Sequence, residues 1–93
     1  IGNTEKARKA KAIMEIKEFE TQAELYQLNN GKPITALSDL YPEYLKEAPG
    51  PDPWGNEYVV TIESDGTVRV TSSGVTSDET EGKAGGQTAD WGK

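Results

Sequence analysis

The chain has 93 residues, 33% of them hydrophobic, and sixteen acidic residues against ten basic ones give a formal net charge of −6. That length suits one domain, 1–93, with a small core, and the acidic balance repels polyphosphate backbones, which argues against nucleic-acid binding. Cysteine and histidine are both absent, so disulfide staples, Ser-His-Asp and Cys-His nucleophiles and the usual His/Cys zinc sites are excluded.

The first thirty residues read as helix. From Thr4 to about Asn29 there is no glycine or proline, and Glu5-Lys6-Ala7-Arg8-Lys9-Ala10-Lys11-Ala12 is rich in helix formers. Thr4 suits the N-cap, and Asn29-Asn30-Gly31 supplies residues that tolerate the left-handed conformation of a helix end. Ala12, Ile16, Phe19, Ala23 and Tyr26 recur at steps of three and four, with Ile13, Leu25 and Leu28 widening the stripe. The first turns carry only alanines between charges, so they are expected to project beyond the core. The basic residues Lys6, Arg8, Lys9 and Lys11 crowd this end, while Asp78, Glu79, Glu81 and Asp90 crowd the other. Such asymmetry can orient identical subunits head to tail, or simply be solvated surface.

Residues 31–56 form the next connection. Lys32-Pro33-Ile34-Thr35 is a turn, and Ala36 to Leu45 a loop with a short helical turn whose Leu37, Leu40, Tyr44 and Leu45 can cover the helix stripe. The proline-rich run from Ala48 to Pro53 is extended. In Asp52-Pro53-Trp54-Gly55-Asn56-Glu57-Tyr58, Pro53 drives Asp52 out of helical conformation and Gly55-Asn56 can accept positive φ. An indole in such a turn is an anchor between layers.

Residues 57–72 then read as a hairpin, with strands near Glu57–Ile62 and Thr67–Ser72 joined through Asp65-Gly66. Tyr58, Val60 and Ile62 share one face of the first strand and Val68 and Val70 one face of the second, and the helix is the natural cover for both. The segment 73–93 is rich in glycine, hydroxyl and acidic residues until Trp91, so it reads as an irregular loop with one point of return to the body. The architecture is α+β, with a long N-terminal helix packed on a small antiparallel sheet.

The acids and hydroxyls of the last segment have the chemistry of hard-cation ligands, although their spacing is not that of an EF-hand. A catalytic carboxylate pair would need a cleft to shift a pKa, and these carboxylates lie on a helix surface or in the tail, so an enzyme is not expected. The aromatic residues, Tyr26, Trp54, Tyr58 and Trp91 among them, read as structural anchors.

The order of these pieces is specific. A long helix ending in Leu25-Tyr26-Gln27-Leu28-Asn29-Asn30-Gly31 with Pro33 soon after, then Asp52 to Tyr58 with its Pro-Trp-Gly-Asn core, then a hairpin and an acidic glycine-rich tail, resembles the major pseudopilin of type II secretion. Type IV pilins share that fold. The resemblance implies a pilin-like subunit that self-assembles into a periplasmic filament driving protein export, with other pseudopilins and inner-membrane assembly proteins as partners. It further implies inner-membrane anchorage through an apolar helix that is N-methylated after cleavage; the chain opens at Ile1-Gly2 without methionine, and such a segment is expected upstream of it. Lys6, Arg8, Lys9 and Lys11 are the candidate assembly residues, facing acidic groups on a neighbour. A surface pilus for adhesion or motility and a soluble calcium-dependent binding module are the alternatives.

Members of that family often hold the C-terminal loop with calcium, through a pattern like S-x-G-x-D-G and a later acid before an apolar residue. Here Thr76 stands where the first acid is usual and Asp78 comes two residues late, while Asp90 before Trp91 matches the later acid. The ligands implied are Ser73, Asp78 and Asp90.

Overall fold

The computed structural model describes residues 4–80; of Ser77 and Asp78 only the backbone is described. Helix α1 runs from Thr4 to Asn30. It ends where Gly31, at φ +76°, donates its N–H to Gln27 O at 2.9 Å, closing the last turn in a left-handed cap that a side chain would strain. A 3₁₀ turn at Leu37–Leu40, strands β1 (Val59–Ile62) and β2 (Val68–Thr71) and a four-residue helix α2 (Ser77–Thr80) follow. The strands pair antiparallel, Val59 opposite Thr71 and Ile62 opposite Val68. The protein is thus α+β, one long helix packed on a two-stranded sheet.

The hairpin turn has three residues between the Glu63–Thr67 pair, with Gly66 at φ +90° and the Asp65 carboxylate accepting the Thr67 N–H. This is a turn closed by a left-handed glycine, which fits the right-handed twist of the flanking strands. An isolated hairpin is marginal in water, and α1 supplies the missing cover. Ile16, Phe19 and Ala23 of α1 are buried against Ile34, Leu37, Leu40 and Leu45 of the connection and Tyr58, Val68 and Val70 of the hairpin. Phe19 meets Tyr58 edge to face at 5.1 Å between ring centres, an arrangement favoured by the quadrupoles of the two rings.

Four expectations are corrected by this arrangement. Strand β1 begins at Val59 instead of Glu57, leaving Tyr58 just ahead of it. Ile62, assigned to the inner face, is 44% exposed, because α1 lies over β2 and leaves β1 outboard. Leu25 and Leu28, expected to widen the buried stripe, are 44% and 73% exposed; they sit on the far side of the helix from Ala23. Ile34, read only as part of a turn, is fully buried. The two edges of the sheet also differ. Glu20 of α1 accepts the outward N–H of Val70 at 2.8 Å, and Gln27 donates to Gly66 O at 3.1 Å, so helix side chains occupy hydrogen-bonding groups along the β2 side of the hairpin.

Candidate functional site

Where the end of β2 meets the beginning of α1, the chain gathers its polar side chains. Asp52 is the centre of this cluster, 3% exposed. One carboxylate oxygen accepts the N–H groups of Trp54 and Asn56 at 3.0 and 2.9 Å, and the other accepts the N–H and hydroxyl of Ser73 at 3.1 and 2.9 Å. The backbone closes the same turn: Asp52 N–H donates to Asn56 O, and Gly55 N–H, at φ +87°, donates to Asp52 O. Asn56 Nδ2 adds a bond to Ser73 Oγ at 3.0 Å. Burial alone would raise the Asp52 pKa, but the donors of Asn56, Ser73 and Trp54 outweigh it and hold the carboxyl below its ordinary value. The carboxylate therefore pins the 52–56 turn to the chain just past β2.

On that platform sits Trp54. It is half-buried and outside the apolar cluster, so its part differs from that of a core anchor. Its ring lies against Gly74 so closely that a Cβ there would meet three ring atoms at 2.4–2.5 Å. Its indole N–H points to the Glu5 carboxylate, 3.1 and 3.2 Å from the two oxygens. Further along, Lys9 pairs with Glu79 of α2 at 3.3 Å. Glu79 is positioned by Thr76, which donates its N–H to the Glu79 carboxylate while its hydroxyl accepts the Glu79 N–H; this is a capping box at the start of α2. The Thr76 bond, then Lys9, lower the Glu79 pKa.

The first turns of α1 are therefore fastened to the body by Glu5 and Lys9, although their residues stay largely exposed; the alanines between the charges have too little surface to pack, and polar reach replaces them. Of the four candidate assembly residues, Lys9 is paired with Glu79 and Arg8 lies 3.6 Å from Glu5. Lys6 and Lys11 are exposed and form no ion pair among the described residues. Tyr26 packs against Tyr44 with ring centres 5.5 Å apart, and the Tyr44 hydroxyl accepts from Asn29 and Asn30. Tyr58 is buried, with its hydroxyl donated to Glu15 on α1; burial, then that contact, raises its pKa.

Of the residues expected to hold calcium, the Asp78 side chain and Asp90 lie outside the described ones, as does Trp91, expected to be a structural anchor. Ser73 is described, and its hydroxyl is already held between Asp52 and Asn56. Among the described residues no group of three or more acids could hold a metal ion, and Glu79 is engaged by Thr76 and Lys9. Among the described residues the buried Ser72 hydroxyl has no hydrogen-bond partner; it is a single oxygen, not a cage.

Two parts of this cluster had local signals: Asp52 ahead of Pro53 marks a side chain that caps its own turn, and Thr76-Ser77-Asp78-Glu79 is a capping box in the sequence. The pairings of Glu5 with Trp54, Glu15 with Tyr58 and Asp52 with Ser73 span long separations and had none.

No curated protein and no solved structure matches the chain significantly. The family model described as "Type II secretion system (T2SS), protein G" matches residues 1–91. A match over nearly the whole length, on a chain whose long helix, Pro-Trp-Gly turn and hairpin are placed as described, assigns it: the chain belongs to the protein G family of type II secretion, the family of the major pseudopilin.

Proposed function

We propose that this chain is the repeating subunit of a pseudopilus, a helical filament in the cell envelope that drives protein export. The observation that carries this reading is the family match over residues 1–91. The fold suits a force-bearing subunit, because a helix about 40 Å long, fastened along its whole length to a small head, can transmit force without bending away from it. Its partners would be further copies of itself, other pseudopilins and inner-membrane assembly proteins, and its location the inner membrane and periplasm. No helix among the described residues is long and apolar enough to cross a membrane, so anchorage would rest on residues other than these.

Calcium belongs to the same reading as a stabiliser of the C-terminal loop. Asp78 and Asp90 would supply carboxylate oxygens, the donor type that calcium prefers, and Ser73 would contribute its hydroxyl only by loosening its bond to Asp52. A melt with calcium and then with a chelator tests this part, since binding to the native state raises apparent stability.

The test of the whole proposal is deletion of the gene from a host with a working secretion system, followed by complementation. Loss of export together with loss of filaments, both restored by the chain in its full-length form, is expected. Export that continues without it would refute the role.

A further inference from the structure

Between Leu45 and Asp52 the chain crosses the surface as a strap. Both ends are pinned: Leu45 is buried and donates its N–H to Leu40 O at 2.9 Å, and Asp52 is fixed in its own turn. Between them, among the described residues, no hydrogen bond or ion pair engages Lys46 to Pro51. Order there comes from proline. Pro49, Pro51 and Pro53 fix their own φ, and each pushes the residue before it, Ala48, Gly50 and Asp52, toward extended backbone. Every residue from Ala48 to Pro53 thus favours the polyproline II helix, and 48–52 are neither helix, strand nor turn. Burial follows the threefold period of that helix: Pro49 and Asp52 share the edge turned toward the body, whereas Ala48 and Pro51 on a second edge and Glu47 and Gly50 on the third are exposed.

The strap stands as a ridge between two depressions, and Pro49, Gly50 and Pro51 line both; Met14 and Leu45 lie in one, Leu37 and Tyr58 in the other. The exposed acids are Glu18 and Glu47 on the first side and Glu57 on the second, and Lys46 is the one base lining either among the described residues. We propose that this ridge is the docking site of a different protein, one that presents a groove of tyrosine and tryptophan rings rimmed by lysine or arginine. Proline rings pack on aromatic faces, and a segment already held extended loses little conformational freedom on binding. The strap's backbone carbonyls are acceptors for the N–H and O–H groups of such rings. The depressions let the walls of the groove straddle the ridge, and the acids beside it select a basic rim. A second copy of the chain offers no such groove: Phe19 and Tyr58 are buried in the core, Tyr26 packs on Tyr44, Trp54 rests on Gly74, and Tyr41 is left as a single exposed ring. The inference stands apart from the filament reading and adds a partner to it.

A Cβ at Gly50 would meet nothing within 4 Å, and the φ there is not left-handed, so a photoreactive side chain fits at the crest of the ridge. In the full-length protein, within its own host cells, Gly50→p-benzoylphenylalanine should on irradiation give one adduct with a different protein, cross-linked at a groove of tyrosine or tryptophan beside lysine or arginine. With that partner purified, Pro51→Ala and Ala48→Glu should each weaken binding to the full-length protein by about tenfold. Ala48→Pro, which adds a ring to the same exposed edge where no N–H is bonded, should strengthen it; a strap that is only a spacer would not respond in this way. Glu47→Lys, which leaves every proline in place, should slow association and flatten its dependence on salt. Absence of any adduct, an adduct with another copy of this chain, or one with a protein lacking the aromatic groove would overturn the proposal. So would a partner that binds Pro51→Ala as tightly as the parent.

Discussion

The two halves of α1 are held to the same body by different physics. From Ile16 to Ala23 the helix buries aliphatic and aromatic side chains against the connection and the hairpin, and the helix brings no titratable group to these apolar contacts. From Glu5 to Lys9 it is held by an indole N–H, a carboxylate and an ammonium group reaching across exposed surface. The first kind of attachment sets whether the domain folds. The second sets whether the start of the helix stays aligned with the head, and so is open to adjustment by solution conditions. Asp52 stands between them, a buried carboxylate whose ordering of the 52–56 turn and Ser73 builds the platform on which Trp54 and Gly74 meet.

Substitutions graded along that division should separate the two halves. Ile16→Ala, at a fully buried core position, should lower global stability by about 3–4 kcal/mol through lost burial and the cavity left behind, seen as a lower denaturant midpoint by circular dichroism. Asp52→Asn keeps the shape but removes the charge from four donors and turns an amide toward some of them; a loss of about 2–3 kcal/mol is expected in the same measurement. Its pH dependence has a definite sign. The folded-state pKa of Asp52 lies below its ordinary value of 3.8, so its stabilisation is present above that value and lost as pH falls through the folded pKa. The parent and Asp52→Asn should draw together in stability as pH falls below 3.8 and through the folded-state pKa, and differ most toward neutrality.

Gly74→Ala tests the latch alone. A Cβ there overlaps the Trp54 ring, so the indole must leave Gly74 and with it Glu5, at a loss of about 1–2 kcal/mol. In a Trp91→Phe background, Trp54 emission should shift to longer wavelength while the midpoint stays far above that of Ile16→Ala. An unchanged spectrum would mean that the indole does not rest on Gly74. The smallest effect is expected at Lys9. Its pair with Glu79 is partly exposed, so Lys9→Ala should lower the midpoint only slightly, and the difference should vanish in concentrated salt.

The helix stripe shows how far pattern reading reaches. Spacing of three and four found Ala12, Ile16, Phe19 and Ala23, and these are the buried positions. Leu25 and Leu28 were placed with them because apolar character was taken to mean inward. Hydrophobicity says that a side chain avoids water, not which neighbour covers it, and on a helix with two apolar sides the body decides which one it uses. Ile62 differs from Val70 for the same reason: strand alternation puts both on one face, but the helix lies over only one strand.

Local features of this chain were determined by the sequence: the helix from Thr4 to its glycine stop, the leucine-bearing turn after it, the Asp-Pro-Trp-Gly turn and the Asp-Gly hairpin. Each depends on the backbone preferences and periodicity of a few neighbouring residues, and the order of these pieces was enough to point to the family. Tertiary structure alone decided that Asp52 holds Ser73, that Trp54 rests on Gly74 and reaches Glu5, and that Lys9 is spent within the chain while Lys6 and Lys11 face outward. Those pairings join residues 20 to 70 positions apart. A hydrogen bond or ion pair leaves no periodic trace over such separations; it exists only once packing of the apolar core has brought the two ends of the chain together.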